Sequence, residues 1–465
     1  MSHIRWKKYL YLSHRYSGII TSFFIFLWCL SGIIMMYVAF PKLTETQRLE
    51  KLPAIRQLPP SLSLPEESPS VVRALTLEYI DQQLVFQSGT GTPGDAHTGL
   101  PLKAISDHQA RAIARSFSTA AIRSIDLIER DQWTVYSRFH RHRPLYKVRF
   151  SDPQHSEIHI SSTTGQVVQY STRWQRGWSW PGAVSHWLYP TVLRQHGKLW
   201  YWLVIALTLI ALLSVVSGLW LGIRQLRRRP GKPLSPYRGL RWLHHWGGVG
   251  LSLLLFNFLL SGLLSMNPWG LLETSPSPLV EKLQPYADRN AINNSLQALA
   301  AQPLPAFKQL RLAPRFGEVN WIITSADGQQ QRLDSNGRPI PGDRRHLRRL
   351  AQTLAGDAGY QLSLLHDADD YYYGHKTTRP FPVWRLILND ESQSRFYFSA
   401  TTAEQQLYLD HNGRSYRWLF HALHQWDLSV LRQRPLWDIL LNSVLLLLTL
   451  FAISALIMAK QRLQR

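Results

Sequence analysis

Long apolar runs alternate with long mixed stretches along this chain. Four segments, Ile19 to Phe40, Leu199 to Ile223, Gly247 to Met266 and Leu436 to Ala459, approach or exceed the roughly 20 apolar residues that a helix needs to cross about 30 Å of hydrocarbon. A core helix of a soluble protein would show a polar face, so the pattern predicts four transmembrane helices. Between them the periodicity shortens. It predicts small α+β units: a helix over Ser106 to Phe117, strands over Leu145 to Phe150 and Glu157 to Ile160 and a turn at Thr164-Gly165, then a helix over His346 to Ala355 and strands over Val383 to Leu388 and Arg395 to Ser399. The Pro- and Ser-rich residues 53–69 read as a loose linker. The expected division is 1–41 (tail and first span), 42–198 (first external domain), 199–223 (second span), 224–245 (basic loop), 246–268 (third span), 269–435 (second external domain) and 436–465 (fourth span and tail). The first span is longer than the apolar core of a signal peptide, and a related span lies deep in the chain, so it is expected to be retained.

Charge gives these spans a direction. Among 465 residues, 52 Lys+Arg stand against 30 Asp+Glu, a formal net charge of +22. Residues 1–18, 224–245 and the tail after Ala459 together hold 14 basic residues and no acidic one, whereas the two external domains carry only +6 and +3. The positive-inside rule therefore puts both termini and the middle loop in the cytoplasm, and no nucleic-acid partner is needed to explain the basic excess. The single Cys29 excludes an intrachain disulfide, a Cys-rich zinc site and a Cys-ligated iron–sulfur cluster, each of which needs at least two thiols. No Ser/His/Asp arrangement, phosphate loop or dinucleotide glycine motif is apparent. Metal or redox chemistry then rests on histidine or on carboxylates, and histidine, at 18 copies, is the residue to follow.

The chain also repeats itself. His14-Arg-Tyr-Ser-Gly18 lies over His244-His-Trp-Gly-Gly248 at an offset of 230, and seventeen residues after each leading His comes Ser31-Gly32 or Ser261-Gly262. A second match, at offset 238, pairs Ser161-Ser-Thr-Thr164 with Ser399-Ala-Thr-Thr402, Trp180 with Trp418, and Val192-Leu-Arg-Gln195 with Val430-Leu-Arg-Gln433. Each half is thus helix, external domain, helix. The expected fold is a membrane α-helical bundle of two parallel, pseudo-symmetric halves with two external α+β domains.

A site on the axis between two such halves needs the same residue from each. His14 matches His244, His186 matches His424 and His108 matches His346, the last pair on helices expected to be soluble. His245, His196 and His421 have no histidine partner and stand as substitutes for their neighbours. Two pairs at two depths fit bis-imidazole ligation of two b-type haems, held noncovalently because no Cys-x-x-Cys-His is present. Interfacial, hydrated histidines are the plainer alternative.

His14-Arg-Tyr-Ser-Gly18, Ser31-Gly32, His186-Trp-Leu, Leu243-His-His-Trp-Gly247 and Leu423-His424 resemble the PepSY-associated transmembrane family of bacterial inner-membrane proteins, and the external units resemble PepSY domains. The resemblance implies a di-haem architecture similar to ferric-siderophore reductases of the FoxB type. It implies His14 and His244 for a cytoplasmic-side haem and His186 and His424 for a periplasmic-side one. The function expected is then reduction of an Fe(III) siderophore in the periplasm, with Fe(II) released, by electrons from a cytoplasmic flavin- or NAD(P)H-linked donor. Arg173, Trp174, Arg176, Trp178, Trp180, Arg414, Arg417 and Trp418 are candidates for the chelate surface, with lipid-facing anchors as the alternative. The rival functions are a non-enzymatic membrane protein with peptide-binding or protease-regulating PepSY domains, and a transporter, for which the spans offer only Asp438 as a carboxylate.

Overall fold

A computed structural model of the chain describes residues 2–64, 68–88, 93–226, 231, 233–278, 285–340, 342, 344–375 and 378–464. Among them four helices are long and apolar enough to cross a membrane. These are the first span Ser2–Tyr37, the second Gly197–Gln225, the third Leu240–Ser265 and the fourth Leu436–Leu463. Two begin earlier than hydropathy predicts, at Ser2 instead of Ile19 and at Leu240 instead of Gly247. No proline interrupts either approach, so the backbone ladder runs on past the point where side chains turn polar. His14 and His244 therefore stand inside helices. Residues 227–230 and 232 of the basic loop lie outside the described residues.

The first span packs against the second and fourth, and so does the third, which sets the first and third diagonally across the bundle. Ile25, Ala211, Val215, Leu255, Leu259 and Leu448 fill its middle. Polar side chains there must be satisfied without water. Ser17, Thr21, Thr208, Ser217 and Thr449 do so by donating to the carbonyl one turn back, at 2.6–2.8 Å. They leave no unmet donor and keep the side chains small enough for close helix approach.

Outside the bundle, two four-stranded antiparallel meanders recur strand for strand at a spacing of 238. The first runs Ile122–Ile128, Leu145–Phe150, Glu157–Ser161, Val167–Ser171, and the second Tyr360–Leu365, Val383–Leu388, Arg395–Ser399, Gln405–Leu409. Each carries one helix on its apolar face, Asp107–Phe117 or Arg344–Ala355. The hairpin residue Gly165 has φ +72°, and a Cβ there would lie 2.6 Å from Ile80 Cγ2. Only glycine satisfies both the left-handed turn and that approach. Its counterpart Ala403 holds φ 53°.

A third unit was not foreseen. A six-stranded antiparallel sheet takes strands from both external segments, in the order Gln330–Leu333, Trp321–Thr324, Gln309–Leu312, Leu75–Ile80, Gln83–Ser88, Gly94–Asp95. Leu77 opposite Leu310 forms the seam. The segment read as a loose linker belongs to this core. Ile55, Leu58, Leu62 and Leu64 are buried with Phe307, Leu310 and Trp321, because prolines between apolar residues hold an extended path that places them on the sheet. Composition alone registered the prolines and missed the leucines.

Candidate functional site

The two halves bring four histidines together in two facing pairs. At the end of the bundle that bears the termini, the rings of His14 and His244 lie 6.3 Å apart across the diagonal between the first and third spans. At the opposite end the rings of His186 and His424 lie 6.1 Å apart. Seventeen helical residues separate His14 from Ser31, the residue that anchors His186, which at 1.5 Å per residue sets the two levels about 25 Å apart.

How each imidazole is held follows from counting hydrogens. His14 Nδ1 lies 2.9 Å from the Ser214 carbonyl and must donate to it. His424 Nδ1 lies 3.1 Å from the Phe258 carbonyl and donates likewise. Ser31, Ser261 and Ser454 each give their one hydroxyl hydrogen to a helix carbonyl, of Leu27, Asn257 and Phe451. They can only accept from His186, His424 and His244, at 3.0, 3.1 and 3.3 Å. All four rings are thereby set in the Nδ1–H tautomer, with the lone pair on Nε2. A protein partner on one ring nitrogen that fixes the tautomer and the ring plane is the usual support for an imidazole that binds metal through the other.

Small residues make the space. A Cβ on Gly218 would sit 2.5 Å from His14 Cε1, and one on Gly262 would sit 3.3 Å from His424 Cε1. On Gly32 it would lie 3.9 Å from His186 Cε1. A cavity of about 420 Å³ lies between His14 and His244, with Arg15, Arg241 and Arg462 on its wall. At the opposite level, turns of π-helix immediately precede both histidine-bearing segments, Trp180–Val184 before His186 and Arg417–Ala422 before His424. Such one-turn insertions re-aim the residues that follow. Gly182 lets the first of these turns sit against Ile34 of the first span.

The substitutes do not fit. His245 is buried with both nitrogens engaged, Nδ1 at 2.8 Å from Ser235 Oγ and Nε2 at 2.8 Å from the Gly222 carbonyl, so it ties the third span to the second. His196 is exposed at the start of the second span. His421 packs on Tyr416 and Phe420 with Nδ1 3.4 Å from Gln425, and burial lowers its pKa below the ordinary imidazole value.

The expected chelate surface divides. Arg176 donates to the carbonyls of Ser171 and His155, Arg414 to those of Ser392 and Gln393, and Arg417 is buried against those of Asp370 and Asp427. These three brace each π-helical corner against the neighbouring loops and strands. Arg173, Trp174 and Trp178 do come together, lining an open groove of about 820 Å³ with Pro153 and Pro181. Trp180 is exposed beside that corner, and Trp418, also exposed, bonds Tyr371 on the second unit. Sequence reasoning missed Gly218, Ser214 and Ser454, whose only signal was their spacing along the second and fourth spans.

Fold and site together define a multi-pass membrane protein with a four-helix bundle, sheet-containing units outside it, and two stacked histidine pairs. The chain belongs to the family described as PepSY-associated TM region, whose model matches residues 11–322. No curated protein matches it.

Proposed function

We propose that this protein is a di-haem transmembrane electron-transfer protein that reduces an Fe(III) siderophore in the periplasm with electrons from a cytoplasmic flavin- or NAD(P)H-linked donor, releasing Fe(II). The observation that carries the proposal is the spacing of the two pairs. The paired rings lie 6.3 and 6.1 Å apart, a separation at which each pair would be able to hold one metal ion between its imidazoles. A metal held by only two imidazoles would have to bring its remaining ligands with it, as the iron of a haem does. Haem, when bound, supplies reversible one-electron Fe(III)/Fe(II) chemistry at each level.

The chain's own contribution is placement. His14 with His244 and His186 with His424 present lone pairs across the bundle axis, and the glycines leave room beside them. Arg15, Arg241 and Arg462 offer cations to carboxylates at the inner level. The apolar middle around Ile25, Leu255 and Leu448 excludes water between the levels. Arg173, Trp174 and Trp178 offer a cationic, aromatic groove to an anionic or amide-rich chelate. Fe(II) is softer than Fe(III) and binds hard oxygen donors less well, so reduction weakens the chelate. The charge asymmetry orients the protein in a bacterial inner membrane, with the termini and the inner pair cytoplasmic.

The test is an absorbance spectrum of the purified protein in detergent, oxidised and then reduced with dithionite. A Soret band and a sharpened α-band on reduction, with two haems per chain, are expected. A protein without either band overturns the redox reading and leaves a PepSY binding module.

A further inference from the structure

We propose that the joint between the six-stranded sheet and the second four-stranded unit is a binding site for one small tetrahedral oxyanion of the phosphate or sulfate class. The strands Gln309–Leu312 and Gln330–Leu333 and the hairpin at Thr402-Ala403-Glu404 meet there around a cavity of about 110 Å³, lined by Arg315, Arg332, Arg349, Asn320 and Glu318. At roughly 30 Å³ per water, that is room for three or four water-sized groups, enough for a phosphate and too little for an organic chelate.

The charges around this cavity do not balance. Arg311 and Glu404 form a two-pronged pair at 2.6 and 2.8 Å, which uses the carboxylate on one guanidinium. Arg332 is only 4% exposed, yet its contacts are neutral, the carbonyls of Thr402 at 3.0 Å and Ala313 at 2.7 Å. Arg315 likewise reaches a carbonyl, that of Ala403, at 2.5 Å. Burial pulls Arg332 to about 9, below the ordinary guanidinium value, and the nearby Arg315 pulls in the same direction. Arg315 is also lowered by burial. Guanidinium keeps its proton regardless, so the buried Arg332 and the partly buried Arg315 repel one another beside one committed carboxylate. Arg349, whose guanidinium stacks 5.0 Å from the ring centre of Phe316, adds a third cation at the cavity wall. Glu318 is the one carboxylate on that wall, and it lies in the exposed turn that closes the strand pair.

An oxyanion suits the space better than water does. Its oxygens accept from planar guanidinium forks, Asn320 can add an amide donor, and its charge offsets the repulsion that water leaves in place. The ion would staple the composite sheet to the hairpin of the second unit. Nothing in this inference depends on the histidine pairs.

Equilibrium dialysis of the full chain in detergent micelles against radiolabelled phosphate, and separately sulfate, at constant ionic strength in chloride, tests it. About one saturable oxyanion per chain is expected, with affinity lowered at least tenfold in Arg332→Met. Arg349→Gln, whose side chain lies on the exposed face and leaves the fold intact, is expected to weaken binding severalfold, so the outcome does not depend on whether the buried variant folds. Preference between phosphate and sulfate identifies the ion. No saturable binding of either above the chloride background, or full binding retained by both variants, overturns the proposal.

Discussion

The two halves of the chain preserve different things in different places. Beneath the outer histidines the copies agree residue for residue: Ser31 and Ser261 accept from His186 and His424, and Gly32 and Gly262 flank the same rings. In the four-stranded units they agree in geometry and not in chemistry. Asp131 of the first unit bonds His159 at 2.9 Å and Lys147 at 2.8 Å, whereas its counterpart Asp369 bonds Tyr397 at 2.7 Å and Arg385 at 3.2 Å. A carboxylate near a cation and a ring donor suffices for the sheet, and several residue types supply it. At the helix-bundle positions both copies keep histidine, each held through Nδ1 by a serine of the neighbouring span.

The sharpest way to break that comparison is at the inner level, where support differs between the copies. His14 donates to a backbone carbonyl of the second span and His244 to the Ser454 hydroxyl of the fourth. Gly218→Ala places a methyl 2.5 Å from His14 Cε1, so the ring must leave its position. Loss of about one of two haems is expected, read as roughly half the reduced α-band of the wild type. Gly250→Ala is the control, since a Cβ there meets nothing within 4 Å and good helix propensity favours the change. Equal spectra for the two variants would remove His14 from the ligand set.

A smaller effect separates the two sheets. Burial disfavours the Asp131 carboxylate, but the His159 hydrogen bond and charge and the Lys147 charge outweigh it, so the group is held well below the usual carboxylate range. Asp131→Asn is expected to destabilise the first unit by about 2 kcal/mol, because the buried His159 loses its carboxylate partner and Lys147 keeps only Glu157. Asp369→Asn is expected to cost less, since Tyr397 is a neutral donor and Arg385 is more exposed. The sign of the pH dependence follows. A depressed folded value gives stability that is present above about pH 4, the unfolded value, and is lost as pH falls toward the folded one. Denaturant melts at pH 7 and pH 3 check both, and an Asp131→Asn variant as pH-sensitive as the wild type would contradict the assignment.

What the sequence revealed and what it hid divide along the same line. The four spans were legible because lipid demands a uniform apolar surface over about 20 residues. The four histidines were legible because a duplicated sequence writes each paired residue twice. The six-stranded sheet was not, since its strands pair Leu77 with Leu310 across more than half the chain, and no local periodicity records a partner that distant. Nor were the roles of Arg176, Arg414 and Arg417. A cation beside tryptophans reads alike whether it faces a ligand or a carbonyl, and the difference lies in the folded path of Ser171, Ser392 and Asp370.

The finest distinction lies between the two outer histidines, which look equivalent in sequence. His186 Nδ1 has the Ser31 hydroxyl at 3.0 Å, whereas His424 Nδ1 has both the Ser261 hydroxyl at 3.1 Å and the Phe258 carbonyl at 3.1 Å. Removing an outer hydrogen bond to a ligating imidazole commonly costs 10–100-fold in metal affinity. Ser31→Ala removes the serine acceptor from His186 and is expected to weaken outer-level haem retention about tenfold, measured as the rate of haem transfer to apomyoglobin. Ser261→Ala leaves the Phe258 carbonyl in place to hold the same tautomer, so a change of less than about threefold is expected. The serine hydroxyls also bond their own helix, but both variants lose that bond equally, to Leu27 in one case and Asn257 in the other. The difference between the two rates therefore reports how far each ring depends on its serine. Equal rates would mean that tautomer support does not govern the outer pair, and a faster loss from Ser261→Ala would place the weaker ligand in the second half.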